Sequence, residues 1–404
     1  MVGPEGFEPA TKRLESPALT PELWAQQIDN TTGRRDLVRK LHFCGVAVLI
    51  AARLMNHIRV SHRKLFAFCR RCFEKLGLSA TDARIVGENL IFANLRGVDS
   101  HGLIRMKIYA DRLRAGGFKA KTRPKVISDQ SSAALIDAGQ GVGQVAAMAA
   151  MKLAISKAKR TGAAVVSVRN SSHFGASAFY AMRPLESGMI GIAATNAGPT
   201  MAPTGGREGR LGNNAVAIAV PSGEFPPIVL DMATGAVAWG KIFVAQQEKR
   251  KIPLTWALDK QGNPTDDPNA AAHQGLIQPL GGYKGYGLSL LIDILTGVLS
   301  GGGFSTRVKP LYQQIESPSQ VAHTCAAVGI NAFLPLKEFR RRMDEIIRLM
   351  HSCPTAPGVK RIFVPGEIEH ETQLRRKVEG IPLNAELVGE LKALGVELRV
   401  MPPF

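Results

Sequence analysis

The chain has little of several things. Five of its 404 residues are cysteine, and Cys44, Cys69, Cys72, Cys325 and Cys353 form an odd, scattered set. That excludes a disulfide framework and fits a reducing cytoplasm, the compartment expected here. Aromatics are 6% of the residues, too few for a base-stacking surface. No run of five or six like charges occurs. The net charge of +18, from 51 basic against 33 acidic side chains, is therefore spread rather than gathered into an arm. No nucleic-acid partner is expected. Long apolar runs are missing too. The stretch 41–55 is broken by Arg53 and falls short of the roughly 18 residues of a membrane helix. It also begins too far into the chain for a signal peptide. No membrane association is expected.

What is present reads as globular. Hydrophobic residues make up 45% and charged residues 21%, and at roughly 150 residues per domain the length suits two or three domains. Residues 1–32 are rich in Pro, Gly and polar side chains without a sustained period. The peptide 2–14 resembles one at the start of many unrelated bacterial sequences. The fold is expected to begin near Val60, with 1–59 as an extension or a misread start. From there the pattern alternates. Helices are expected over 61–77, 83–94, 100–113, 145–159, 236–247, 337–350 and 384–394. Strands are expected over 133–136, 163–168, 188–195, 215–220 and 228–230. The apolar run 287–299 reads as a core helix. The alternation indicates α/β architecture.

The densest chemistry is Asp99-Ser100-His101-Gly102-Leu103-Ile104-Arg105, followed by Tyr109. On a helix, His101, Arg105 and Tyr109 at i, i+4 and i+8 share one face. A proton shuttle, a bidentate carboxylate clamp and a hydroxyl suit a 2-oxo or 2-hydroxy acid. A solvated helix start capped by Ser100 uses the same residues without chemistry. Asn170-Ser171-Ser172-His173-Phe174-Gly175 follows a strand, where α/β folds carry function. His173 is an acid/base candidate or a packed histidine.

Gly139, Gly141 and Gly143 sit between a strand and a helix, as a dinucleotide loop would. Gln144 stands where that motif needs glycine, and 161–169 lacks the acidic residue, so a Rossmann loop is not expected. Gly281-Gly282-Tyr283-Lys284-Gly285-Tyr286-Gly287 is a glycine-dense helix entry with a cation for phosphate. Cys69-Arg70-Arg71-Cys72 lacks a second pair at zinc spacing, and no metal site is expected.

Taken in order, eight segments resemble the malate/L-lactate dehydrogenase family of the non-Rossmann type. They run from Arg96 to Gly102, Ser172 to Gly175, Thr195 to Pro199, Pro203 to Gly206, Asp231 to Thr234, Trp239 to Lys241, Lys284 to Gly287 and Pro365 to Glu367. The family includes ureidoglycolate and L-sulfolactate dehydrogenases and piperideine-2-carboxylate reductase. The resemblance implies a homodimeric NAD- or NADP-dependent oxidoreductase interconverting a small-molecule 2-oxo acid and an L-2-hydroxy acid. A cyclic-imine reductase and a non-catalytic binding protein on the same scaffold are the alternatives.

It implies an α/β fold: a non-Rossmann NAD(P)-binding domain over 129–315, and a largely helical domain from 60–128 and the returning segment 316–404. It places proton transfer on His101 or His173, with Ser100 orienting His101. Arg105 and Tyr109 fall on substrate positions. Asn196, Ala197, Asp231, Met232, Ala233, Lys284, Gly366 and Glu367 fall on cofactor positions. Tyr180 stands where some relatives carry an Asp that partners the second histidine.

Overall fold

The computed structural model describes residues 57–404, which from Ile58 onward form one compact unit. The expected extension and the apolar stretch 41–55 lie outside the described residues, apart from 57–59. Those three belong to a short strand, His57–Val60, paired with Ile381–Asn384. Arg59 also meets Glu379 at 2.9 Å. The described fold therefore already includes residues before Val60.

Helix α1 (His62–Lys75) buries Leu65, Phe68, Cys69, Cys72 and Phe73, the i, i+3, i+4 stripe of an amphipathic helix. Leu65, Phe68 and Phe73 each contribute about 2 kcal/mol by leaving water. Burial pushes the Cys72 thiol up to about 12, so the Cys-x-x-Cys pair serves the core. Ser79 caps α2 (Ala80–Leu95) by accepting from the Asp82 N–H at 3.1 Å. The helix expected over 100–113 is broken. Asp99–His101 and Leu103–Arg105 are separate 3-10 turns, and only Met106–Ala115 (α3) is α-helical. Gly102, at φ −91° and ψ −144°, makes the break.

The main sheet has seven strands. They are β1 (Lys125–Asp129), β2 (Ala133–Asp137), β3 (Ala163–Ser171), β4 (Met189–Thr195), β5 (Ala215–Val220), β6 (Ile228–Ala233) and β7 (Val321–Gly329). Their order is β1-β2-β3-β7-β4-β5-β6. Only β2–β3 is parallel, joined through α4 (Gly143–Thr161). An antiparallel-dominated sheet is not a Rossmann sheet, in line with the failed glycine fingerprint.

β7 lies outside the strands expected, because its three alanines and closing glycine dilute the β signal of its two valines. It lies at the sheet's centre. The expected boundary at 315/316 therefore cuts the sheet, and 321–329 belongs with the α/β part.

A smaller sheet packs around Met201, Leu211, Ile242 and Ile277, against helix α5 (Trp239–Gln247). Helix α6 (Tyr283–Asp293) continues as a π-helical turn, Ile294–Val298. The run 287–299 is not the core helix expected. Leu291, Leu295 and Leu299 are 56, 51 and 61% exposed.

Helix α7 (Leu336–His351) holds the β5–β6 turn: Asp344 accepts from the N–H groups of Gly223 and Glu224 at 2.9 and 3.0 Å. Helices α8 (Glu367–Glu379) and α9 (Ala385–Leu398) complete the chain. α9 shares a core with α1–α3. Among the described residues no helix is long and apolar enough to cross a membrane.

Candidate active site

Asn94, buried on α2, organises the first half of the site. Its Oδ1 accepts from the Leu103 N–H at 2.8 Å and its Nδ2 donates to Asp99. Arg376 of α8 grips the same Asp99 carboxylate at 2.7 and 3.0 Å. The turn 99–103 is thus fixed from two helices. Ser100 Oγ lies 2.9 Å from His101 Nδ1, and Arg105 Nε donates to the Ser100 carbonyl at 2.7 Å.

The second half is the loop after β3. Ser172 Oγ accepts from the Gly143 N–H at 2.9 Å and donates to the Gly141 carbonyl at 3.0 Å. A Cβ at Gly143 would lie 2.1 Å from the Ser172 carbonyl oxygen. Of the glycines that mimic a dinucleotide loop, Gly143 lets the chain pass against the His173 loop, whereas Gly141 is packed against Thr122. Phe174 stacks on His323 with ring centres 4.5 Å apart, and buried Tyr180 donates its hydroxyl to the Phe174 carbonyl. Tyr180, standing where an Asp is found in some relatives, anchors this loop.

The halves meet at Tyr109, whose hydroxyl is 2.6 Å from His173 Nδ1. His101 and His173 stack with centres 5.6 Å apart and planes at 21°. His101, Arg105, Tyr109 and His173 thus converge although the helix that motivated their grouping is interrupted. Burial, helped by Arg105, pushes His101 down to about 4. Burial, then Arg105, His101 and His323, hold His173 well below its usual range. Burial raises the Tyr109 phenol well above its ordinary value. One partner escaped sequence reasoning: Arg105 Nη1 donates to the hydroxyl of Tyr312, 207 residues away, a contact no local spacing signals.

The cofactor candidates are tied together through Asn214, also missed. Its Oδ1 accepts from the Ala197 N–H at 2.9 Å, its Nδ2 donates to Ser289 of α6, and its carbonyl accepts from Thr234. The side chain of Asn196 is spent inside the protein, on Asp293, the Gly303 carbonyl and the Ala322 N–H. Asp231, Met232 and Ala233 lie on edge strand β6. Asp231 reaches solvent, yet the protein around it raises its carboxyl to about 6, against the pull of the Ala178 N–H and Arg96. Gly366 packs on β6, with the Pro365 carbonyl 2.9 Å from the Val229 nitrogen. Glu367 is buried and holds His351 and the Val364 N–H. Lys284 is exposed in the first turn of α6, after Gly281 and Gly282 at φ +61° and +65°, where the space a Cβ would take is open. A cation, a helix N-terminus and an open glycine backbone fit an anionic phosphate.

Known proteins give this arrangement a context. The sequence model of one family, described as malate/L-lactate dehydrogenase, matches residues 60–392. A malate dehydrogenase of Pyrococcus abyssi is 42% identical over 346 residues, 84% of this chain and 94% of the relative. A ureidoglycolate dehydrogenase (NAD(+)) of Escherichia coli K12 is 33% identical, over 81% of this chain and 93% of the relative. The solved malate dehydrogenase of Pyrococcus horikoshii superposes with a TM-score of 0.79 at 40% identity, covering 86% of this chain and 97% of the other.

Proposed function

The chain belongs to the malate/L-lactate dehydrogenase family, and from that premise we propose that it interconverts a 2-oxo acid and an L-2-hydroxy acid with NAD or NADP. The observation that carries the reading is the meeting of His101, Arg105, Tyr109 and His173 at one place. Bound NAD(P)H supplies the hydride that adds to the 2-carbon. Lys284 with the 281–287 entry would hold its phosphates. Asp231–Ala233, Asn196, Ala197, Gly366 and Glu367 would frame the rest around β6.

The two histidines divide the remaining work. The Gly175 N–H, 3.2 Å from His173 Nδ1, can only donate. That nitrogen therefore carries a lone pair, and Tyr109 must donate to it as well. The proton of neutral His173 sits on Nε2, and His173 polarises the 2-oxygen by donating a hydrogen bond. Tyr109, its phenol raised by burial, keeps its own proton. His101, oriented by Ser100, exchanges the proton with the 2-oxygen. Neutral in the free enzyme, it is a base ready for the hydroxy acid. A carboxylate on Arg105 cancels the charge that helps depress His101 and so favours its acid form for reduction.

Mixing the protein with NADH or NADPH and a panel of 2-oxo acids and cyclic imines, while following cofactor absorbance, tests this. Turnover of at least one 2-oxo acid is expected. Turnover of imines alone would reassign the substrate, and silence without cofactor binding would remove the dehydrogenase reading.

The apolar face of α6 and its π-turn supports a homodimer, since a second copy would cover Leu291, Leu295 and Leu299. Ultracentrifugation is expected to find a dimer of 43.4-kDa chains; a monomer at micromolar concentration would contradict it. The free thiols Cys69, Cys72 and Cys325 support a reducing, cytoplasmic setting, which cell fractionation checks.

A further inference from the structure

We propose that Tyr312 forms the outer wall of the substrate-carboxylate subsite, donating a hydrogen bond from its hydroxyl to that carboxylate, and that buried Arg112 positions it there. The inference rests on the dehydrogenase reading and deepens the part played by Arg105.

Arg105 is not a free clamp. Its Nε donates to the Ser100 carbonyl at 2.7 Å, its Nη1 donates to the Tyr312 hydroxyl, and the Tyr312 ring centre lies 5.4 Å from its guanidinium carbon. With Nε used, the side-on fork is closed, and a carboxylate is gripped bidentately across Nη1 and Nη2. A carboxylate held there lies beside the Tyr312 hydroxyl. That hydroxyl accepts from Arg105, so its own proton is free to be donated. Tyr312 is 62% exposed and meets the substrate from the solvent side.

An exposed tyrosine on a loop is ordinarily a poor positioning group, but this loop is fixed. Arg112 is fully buried, and its bonded partners are carbonyls rather than a carboxylate. It donates to Leu311 at 2.7 Å, to Pro310 and Gln313 at 2.9 Å, and to Ser317 at 3.0 Å. Burying a guanidinium is costly unless its donors are satisfied. Here they are satisfied by the backbone on both sides of Tyr312. Gly117 lets the chain close on the same loop, since a Cβ there would lie 2.0 Å from the Ile315 carbonyl oxygen. Arg105 and Arg112, seven residues apart, thus hold one loop from two points, one through the ring and one through the backbone.

Steady-state kinetics of the full chain with NAD(P)H decide the matter. Tyr312→Phe, at an exposed position, leaves the fold intact. It is expected to raise KM for the 2-oxo acid about tenfold, the loss of one hydrogen bond to a charged group. kcat should stay within about twofold, with cofactor affinity unchanged. Arg112→Lys is expected to move KM the same way, and the double variant to be no worse than the more impaired single one, because Arg112 acts through Tyr312. An unchanged KM in Tyr312→Phe overturns the proposal. So does a lowered KM, which would make Tyr312 a cap that the substrate must displace. A wild type that turns over while Tyr312→Phe is indistinguishable from it sinks this inference alone. A wild type silent on every 2-oxo acid sinks the dehydrogenase reading and this inference with it.

Discussion

Replacing His101 by alanine is expected to lower kcat about a thousandfold in both directions, within the usual range for a positioned acid/base group. NAD(P)H affinity should be preserved, because no cofactor candidate depends on the imidazole. The effect is large because the rest of the constellation cannot substitute. His173 is fixed as a donor by Gly175 and Tyr109, and Tyr109 holds its proton too tightly to pass it on. Near wild-type turnover in His101→Ala would move the proton to His173 and undo this division of roles. The measurement is kcat beside cofactor Kd, so that a misfolded variant is not mistaken for an inactive one.

Gly175→Ala is expected to cost about 3 kcal/mol of stability, combining overpacking with a left-handed backbone. Gly175 sits at φ +78°, and a Cβ there would lie 1.8 Å from Oδ1 of Asn89. Asn89 is fully buried and donates to Tyr180 at 3.3 Å, so it has no room to retreat. Relief would come from shifting the 173–175 loop, which breaks the Gly175 N–H contact that sets the His173 tautomer. Activity should therefore fall along with the denaturation midpoint. Gly240→Ala, with open space around the new methyl and an ordinary φ, is the control and should lower neither. Wild-type stability in Gly175→Ala would contradict the packing described.

Much of this was legible in the sequence. Strand 215–220 lies where its apolar run placed it, and the 337–350 pattern is matched by Leu336–His351. His101, Arg105 and Tyr109 were grouped by helical spacing. The spacing argument was right about convergence and wrong about the helix, because Gly102 beside Asn94 breaks the chain. A Cβ at Gly102 would stand 2.1 Å from Asn94 Oδ1, a tertiary constraint with no local signature. The run 287–299 reads as core because it carries no charge other than Asp293, and an apolar run does not say what covers it. α8 escaped notice since it buries little beyond Glu367 and Thr372. Tyr312 and Arg112 were beyond reach, because their roles depend on a loop brought from about 200 residues away.

The most direct test of the His101 assignment is the pH dependence of kcat/KM in the reductive direction. His101 is pushed down to about 4 in the free enzyme. Its acid form, which reduction requires, therefore shrinks tenfold for each pH unit above that value. Reductive kcat/KM should fall with that slope between about pH 5 and 8, while oxidative kcat/KM, which uses the neutral form, stays level. In His101→Ala the reductive slope should vanish. A level reductive profile in the wild type, or the same slope surviving in His101→Ala, would contradict His101 as the proton-exchanging group.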